Sequence, residues 1–244
     1  MRVLSIIHGD NARSALFGAE VRAAGHELDE LSFAFGEPPR DPERYDAVMA
    51  FGGAMNVHEV DGHPWLTDEQ RALARVVEHG VPVLGVCLGG QLLASVTGGR
   101  VTRAPEPEIG WYEVEATPEA ADDPIFGELP ERFTAYQWHS YQFSLPPDAT
   151  PLATSAVCLQ AYRVGDAAWG TQFHAEVTRE ICESWISKHR TDPDAARVGF
   201  DPNRELRRLD EELPRWNTFG RMLVGGFLAF AAARVGASTE PVRA

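Results

Sequence analysis

The 244-residue chain has few positive charges and few cysteines. Its 22 Lys and Arg residues stand against 36 Asp and Glu residues, a formal net charge of −14 at pH 7. Binding to nucleic acid or to an anionic membrane needs a basic face, so we expect neither partner. The three cysteines are an odd number without metal-ligand spacing, which predicts a reduced, cytoplasmic chain without a disulfide framework and without a metal site.

Long hydrophobic runs are also missing. The longest, MLVGGFLAFAAA at 222–233, is shorter than the roughly 20 residues that a membrane span needs, and we interpret it as a buried core helix. The short run VLSII after Arg2 predicts no secretory signal. We expect one domain over residues 1–244, with a core at about 1–190 and a C-terminal helical extension at about 191–244.

Short apolar runs alternate with helical patterns along the first hundred residues. This order predicts an α/β fold built on a single doubly wound, mostly parallel sheet with flanking helices. In the helix over 67–80, Thr67 is a candidate N-cap and Gly80 a candidate terminus. Residues 109–173 predict a small antiparallel extension with a hairpin at 163–170. The predicted strands are RVLSII at 2–7, HELDEL at 26–31, YDAVMAF at 45–51 and VPVLGV at 81–86; the other early helices are 14–24 and 88–98.

One cysteine, Cys87, stands where a buried strand ends and a helix begins. In a parallel sheet, ligands bind at the carboxyl ends of the strands. A helix N-terminus favours the thiolate, and the N–H of Leu88 is placed to stabilise an oxyanion. The segment GVCLG resembles a nucleophile elbow with cysteine in place of serine. A buried core cysteine in an ordinary βα turn is the alternative.

A thiol nucleophile needs a base, and His174 in the segment QFHAEV is the candidate. In extended chain, residues two apart point to the same side, so Glu176 can orient the His174 ring. The glycines in FGGAMNV at 51–57 offer a second oxyanion donor from another turn. Six other histidines lie in polar or turn-rich settings without a paired acid at a telling spacing: His8, His26, His58, His63, His79 and His189.

Three segments together resemble the class I glutamine amidotransferase family. They are the glycine pair at 52–53, GVCLGGQ at 85–91 and QFHAE at 172–176, in the family's order across about residues 1–190. WHSYQFSLP at 138–146 is most similar to stand-alone members related to the glutaminase domain of GMP synthetase. The resemblance implies a flavodoxin-like class I amidotransferase fold and hydrolysis of glutamine, or of a γ-glutamyl amide, through a thioester without a cofactor.

The resemblance also implies roles for individual residues. Cys87 is the nucleophile, His174 the base and Glu176 its orienting acid, while the N–H groups of Gly53 and Leu88 form the oxyanion hole. The expected substrate contacts are Gly52, Gln91, His139, Ser140 and Tyr141. The family usually has proline between its histidine and glutamate, where this chain has Ala175. Proline would only stiffen that turn, so activity is still expected.

The sequence leaves the leaving group open. Two activities share the same chemistry: that of a stand-alone γ-glutamyl peptide hydrolase, and that of a glutaminase that feeds ammonia to a separate synthetase subunit. A catalytically quiet binding or regulatory module on the same fold is a further alternative, as is another cysteine hydrolase with the same elbow. Cys158, Cys182 and Trp111 are expected to be structural. The segment 190–216 has no predicted role.

Overall fold

The fold is built on one nine-stranded sheet. The computed structural model describes residues 1–35, 38 and 41–239. Across the sheet the strands follow the order β2-β1-β3-β4-β9-β8-β7-β5-β6. Their bounds are β1 Arg2–Ile6, β2 Glu27–Leu31, β3 Ala47–Ala50, β4 Val83–Val86, β5 Val101–Ala116, β6 Arg132–Phe143, β7 Ala149–Thr154, β8 Leu159–Val164 and β9 Ala168–Thr171.

Strands β2, β1, β3, β4 and β9 pair in parallel, and helices cover both faces of this half. α1 (Ala15–Ala23) and α6 (Pro202–Thr239) pack on one face, with Phe17, Trp216 and Phe227 in the same core cluster. α2 (Trp65–Glu78) and α3 (Leu88–Val96) pack on the other face through a second cluster. Because both faces are covered, β3 and β4 are buried along their whole length. The predicted doubly wound fold is confirmed.

Strands β8, β7, β5 and β6 continue the sheet with antiparallel pairing. The predicted hairpin is present: β8 and β9 are joined by a turn in which Gly165 has φ 55°. A side chain at that φ would strain the turn, which explains the glycine. β5 and β6 form a long ribbon that brings residues 138–141 to the edge where β4 and β9 end.

Helix α6 contains the apolar run at 222–233. By length and composition it passes a test for a membrane-spanning helix, a test that core helices also pass. Its side chains at 223, 224, 227, 228 and 231 are buried in the core cluster that includes α1 and the sheet. The expected core helix is therefore what the fold contains. Two shorter helices, α4 (Arg179–Lys188) and α5 (Pro193–Arg197), lead into it.

Two local predictions differ from the structure. Helix α2 begins at Trp65 after Pro64, so Thr67 lies inside the first turn and the prediction that it caps the helix is wrong. Proline presets the helical φ, and it begins the helix earlier than the capping signal indicated. Gly80 ends the helix with φ 65°, as predicted. The apolar segment SAVCLQAY at 155–162 predicts a strand that contains Cys158, but Cys158 lies in the turn before β8.

The close packing of α3 on the sheet leads to a testable prediction. A Cβ on Gly89 would collide with the backbone of Ala50 in β3, whereas one on the exposed Gly225 of α6 would meet nothing within 4 Å. We expect Gly89→Ala to lower the free energy of unfolding by about 1–3 kcal/mol, since the collision forces backbone shifts. Gly225→Ala should raise it by about 0.5–1 kcal/mol. Urea unfolding of both variants measures this, and equal stability of the two would contradict the packing.

Candidate active site

Cys87 occupies a strained turn between β4 and α3. Its φ of 51° and ψ of −109° are unusual for a residue with a side chain, and such a conformation costs on the order of 1–3 kcal/mol. The backbone holds the turn from both sides: the N–H of Cys87 donates to Thr171 O at 2.8 Å, and Gln91 N–H donates to Cys87 O at 2.8 Å. Cys87 lines a cavity at this turn.

The His174 ring faces Cys87 and is fixed by Glu176. Nδ1 lies 2.8 Å from Glu176 Oε1, and both side chains are buried. The carboxylate accepts, so Nδ1 carries a proton, while the buried Nε2 has no hydrogen-bond partner among the described residues. Burial lowers the pKa of His174, but the Glu176 carboxylate and the Cys87 side chain outweigh it and raise the pKa to about 10. An imidazole held in this way beside a thiol can accept the thiol proton.

The backbone around His174 is held by two helices. Trp216 of α6 donates its indole N–H to His174 O at 2.7 Å. Leu16, at the start of α1, donates its N–H to Glu176 O at 3.0 Å. Gly220 of α6 lies against the Ala175 carbonyl so closely that a Cβ there would collide. These contacts restrain the turn at Ala175. They also give the C-terminal extension a role that the sequence did not reveal.

The turn after β3 supplies free backbone donors. Within the described residues, the N–H groups of Gly53 and Leu88 donate to no acceptor, and both residues line a cavity with Cys87. Gly52 packs against the base, because a Cβ on it would come within 2.9 Å of His174 Cε1. The chain therefore brings together two donors, a thiol and an imidazole, as the sequence predicts for Cys87, Leu88, Gly53 and His174.

Gln172 is a site residue that the sequence analysis missed. Its Nε2 lies 3.6 Å from Cys87 Sγ, and its Oε1 accepts from Gln91 Nε2 at 3.2 Å. Gln91 also donates to Tyr141 O at 3.1 Å, so its amide N–H groups orient Gln172 and the ribbon. A signal was present: Gln172 stands two residues before His174 in extended chain, and therefore points to the same side.

Two pockets meet at Cys87. The histidine-side pocket, with a volume of about 230 Å³, is lined by His174, Glu176, Trp185, Lys188 and Asn11. The glutamine-side pocket, of about 410 Å³, is lined by Gln91, His139, Ser140 and Tyr141. The predicted substrate-contacting segment at 139–141 thus does reach the site, and Gln91 lies beside it.

The His139 side chain itself is engaged elsewhere. Its Nε2 lies 3.0 Å from Glu108 Oε2, and Gln160 donates to the same oxygen at 2.7 Å. Together with Cys158, the His139 and Glu108 side chains place a sulfur, a nitrogen and an oxygen atom within 4.8 Å of one another. These are atom types that bind metal ions. The hydrogen bonds within the group, including Cys158 Sγ to Glu108 Oε2 at 3.6 Å, give these atoms protein partners. The backbone of residue 139, rather than its ring, remains the predicted substrate contact.

The segment for which the sequence predicts no role forms a wall of both pockets. Asp192 accepts from the Trp138 indole at 2.9 Å, and Asp194 accepts from Ser140 Oγ at 2.6 Å and pairs with Arg103. Thr191 and Asp192 line both pockets. Residues 189–197 are therefore tied to the β5–β6 ribbon across the site.

His8 has an acidic partner that no local spacing in the sequence indicates. His8 Nε2 lies 2.8 Å from Glu69 Oε2, and its Nδ1 lies 3.0 Å from Gly52 O. Both side chains are fully buried. Burial lowers the pKa of His8, but Glu69 and the carbonyls of Gly52 and Phe51 raise it on balance. Residues 8 and 69 are too far apart in sequence for a local pattern to join them.

Cys158 and Cys182 differ from Cys87 in their surroundings. Both are buried and line neither pocket. Burial, as the largest cause, raises the pKa of each thiol, and nearby carboxylates raise it further. They are held as thiols in the core, as expected of structural cysteines.

The profile of the family described as "Glutamine amidotransferase class-I" matches residues 19–186. The glutamine amidotransferase-like protein YfeJ of Salmonella typhimurium is 30% identical over 193 residues, covering 76% of this chain and 80% of that protein. The GMP synthase of Thermomicrobium roseum is 41% identical over 143 residues, but the match covers 58% of this chain and only 25% of that enzyme. The shared part is thus a quarter of the larger protein.

A solved structure agrees over nearly the whole chain. The glutamine amidotransferase of Thermotoga maritima superposes with a TM-score of 0.81 at 30% identity, covering 93% of this chain and 97% of that one.

The surroundings of the three cysteines predict different reactivity. We expect iodoacetamide to alkylate Cys87 before Cys158 and Cys182, because the thiolate is the nucleophile and the two core thiols have raised pKa values. His174→Asn should slow alkylation of Cys87 by on the order of tenfold, since the imidazolium that stabilises the thiolate is gone. Peptide mass mapping over a time course measures both. Alkylation of Cys158 or Cys182 ahead of Cys87 would contradict the assignment.

Proposed function

The chain belongs to the class I glutamine amidotransferase family, and we propose that it hydrolyses the side-chain amide of glutamine or of a related γ-glutamyl compound. The observation that carries this is the strained thiol of Cys87 facing a buried His174–Glu176 pair beside two unused backbone donors. Nothing in this chemistry requires a cofactor.

In the first half of the reaction, the Cys87 thiolate attacks the amide carbonyl carbon and forms a C–S bond. The carbonyl oxygen becomes an oxyanion between the N–H groups of Gly53 and Leu88. His174 then donates its Nε2 proton to the amide nitrogen, the C–N bond breaks and the amine leaves. The product on the enzyme is a γ-glutamyl thioester.

In the second half, water attacks the thioester. His174, now neutral, accepts a proton from this water, and the oxyanion forms again in the same place. The C–S bond breaks, glutamate leaves, and Cys87 returns as a thiolate beside the imidazolium. Glu176 keeps the proton on Nδ1 throughout, so that Nε2 is the atom that exchanges protons.

The segment 189–197 bears on the choice between the open alternatives. The chain's own residues supply the walls of both pockets without a second protein. This favours a stand-alone γ-glutamyl hydrolase over a glutaminase that is silent until a partner docks. A relative from Thermoplasma acidophilum, 33% identical over 136 residues, is named as one subunit of a glutamine-hydrolysing GMP synthase, so a separate ammonia-accepting synthetase remains the second candidate. We propose the cytoplasm as the compartment.

Removal of the nucleophile tests the mechanism. Cys87→Ala should lower glutamate release from glutamine or γ-glutamyl dipeptides by about a thousandfold or more, because no thioester can form. Cys158→Ala and Cys182→Ala are the matched controls and should leave turnover nearly unchanged.

Glutamate release by the purified chain is the measurement, with thermal unfolding to check that each variant folds. Full turnover in Cys87→Ala would contradict the thioester mechanism. Loss of turnover in folded Cys158→Ala and Cys182→Ala alike would contradict the structural assignment of these thiols.

A further inference from the structure

The histidine-side pocket receives the leaving group, if the proposed function holds. His174 protonates the departing nitrogen, so the leaving group must lie on the His174 side of Cys87. The γ-glutamyl part then occupies the glutamine-side pocket with Gln91 and Tyr141. The two pockets adjoin at Cys87, Gly53 and Trp138, which line both.

The histidine-side pocket is larger than a molecule of ammonia requires. Its volume is about 230 Å³, whereas a molecule of water or ammonia takes up about 30 Å³ of liquid. Indole rings of Trp138 and Trp185 line it, and the Trp185 ring lies 4.7 Å from the His174 ring, centre to centre. Such walls fit a carbon-bearing amine.

The charge of this pocket indicates what the amine carries. Lys188, the chain's single lysine, lines the pocket, and its ammonium has no ion-pair or hydrogen-bond partner within the described residues. The nearby acids are already engaged: Asp192 accepts from Trp138 and from two backbone N–H groups, and Glu176 holds His174. Lys188 is thus the cationic side chain of this pocket outside the Cys87–His174–Glu176 group, and it is available to an anion.

We infer that the natural substrates are γ-glutamyl amides of amino acids or other carboxylate-bearing amines. The Lys188 ammonium pairs with the carboxylate of the leaving group, whose carbon body lies against Trp138 and Trp185. Hydrolysis adds one water and releases glutamate and the free amino acid. The inference rests on the proposed function, because it uses the same thioester.

Three substrates and three variants test it. γ-Glutamyl-phenylalanine, its C-terminal amide and glutamine are offered to the wild type and to Lys188→Met, Lys188→Arg and Arg190→Met. Arg190 is a nearby exposed residue that lines neither pocket. We expect kcat/KM of the wild type to be about fivefold higher for the free acid than for its amide. A factor of this size corresponds to the stabilisation that a partly exposed ion pair gives. Lys188→Met should remove this preference, while Lys188→Arg and Arg190→Met keep it.

The outcomes separate the two proposals. Cys87-dependent turnover of glutamine with none of the dipeptide would overturn the inference and leave the proposed function standing. Equal losses on acid and amide in Lys188→Met would also overturn the inference. Absence of Cys87-dependent turnover on all three substrates would overturn the proposed function itself, and the inference with it.

A second, independent observation concerns the oxyanion turn. His8 donates Nδ1–H to Gly52 O, since a carbonyl only accepts, and its Nε2 meets the Glu69 carboxylate. The peptide between residues 52 and 53 is planar and trans, so its C=O and N–H point in opposite directions. Holding Gly52 O on the His8 side therefore directs the Gly53 N–H away from His8 and into the cavity.

We propose that the His8–Glu69 pair positions the oxyanion hole. The Glu69 carboxylate keeps a proton on His8 Nε2 and fixes the ring. The His8 ring also stacks on the Trp65 ring, with 5.4 Å between the ring centres. His8 in turn prevents the peptide after Gly52 from rotating. Neither side chain touches substrate; both are positioning residues.

Glu69→Gln tests this positioning role with little change in shape. We expect kcat to fall by about ten- to a hundredfold, less than the loss of a whole oxyanion donor, with KM nearly unchanged. Alkylation of Cys87 by iodoacetamide forms no oxyanion, so its rate should stay close to that of the wild type. Asp123→Asn is the matched control: it removes the charge of a buried carboxylate that pairs with Arg163 and lines neither pocket.

The readouts distinguish positioning from general damage. A lower kcat with normal alkylation in Glu69→Gln, and a normal kcat in Asp123→Asn, supports the proposal. Unchanged kcat in Glu69→Gln overturns it. Equal loss of kcat and of alkylation rate also overturns it, because the thiol would then be disturbed along with the turn.

Discussion

The left-handed backbone of Cys87 is the constraint on which the rest of the site depends. A side chain in that conformation is stable only when its surroundings leave no alternative. Here the neighbouring glycines let α3 approach the backbone of β3 and β9, and hydrogen bonds to Thr171 O and from Gln91 N–H hold the turn. The same close approach places the N–H of Leu88 at the cavity. A thiol, an oxyanion donor and a helix N-terminus thus come from one packing arrangement.

The base reaches Cys87 through long-range contacts. His174 and Glu176 follow β9, the strand that pairs with β4 beside Cys87. Burying an imidazolium and a carboxylate costs desolvation energy, which only good geometry offsets. α6 and α1 supply that geometry by binding the carbonyls of His174 and Glu176. Two helices distant from His174 in sequence therefore hold its backbone in place.

Local patterns were enough to predict the parallel half of the sheet, the turn at Cys87 and the family. Buried strands, glycine turns and the spacing of His174 and Glu176 are all properties of neighbouring residues. The sequence did not reveal the His8–Glu69 pair, the Trp216 contact or the wall at 189–197, because each joins segments that meet only in the folded chain. The start of α2 was missed for a different reason: Pro64 favoured an earlier helix start than Thr67 indicated.

The sheet order has a consequence for synthesis on the ribosome. β9 lies between β4 and β8 in the middle of the sheet, although it is among the last strands to be made. The indole that holds His174 comes later still, at residue 216. Domains generally fold as units, and residue 216 emerges only after all nine strands have been made, so a nascent chain lacks the contact that holds His174 until α6 has left the ribosome. The unfinished chain therefore presents Cys87 before the backbone of His174 is held.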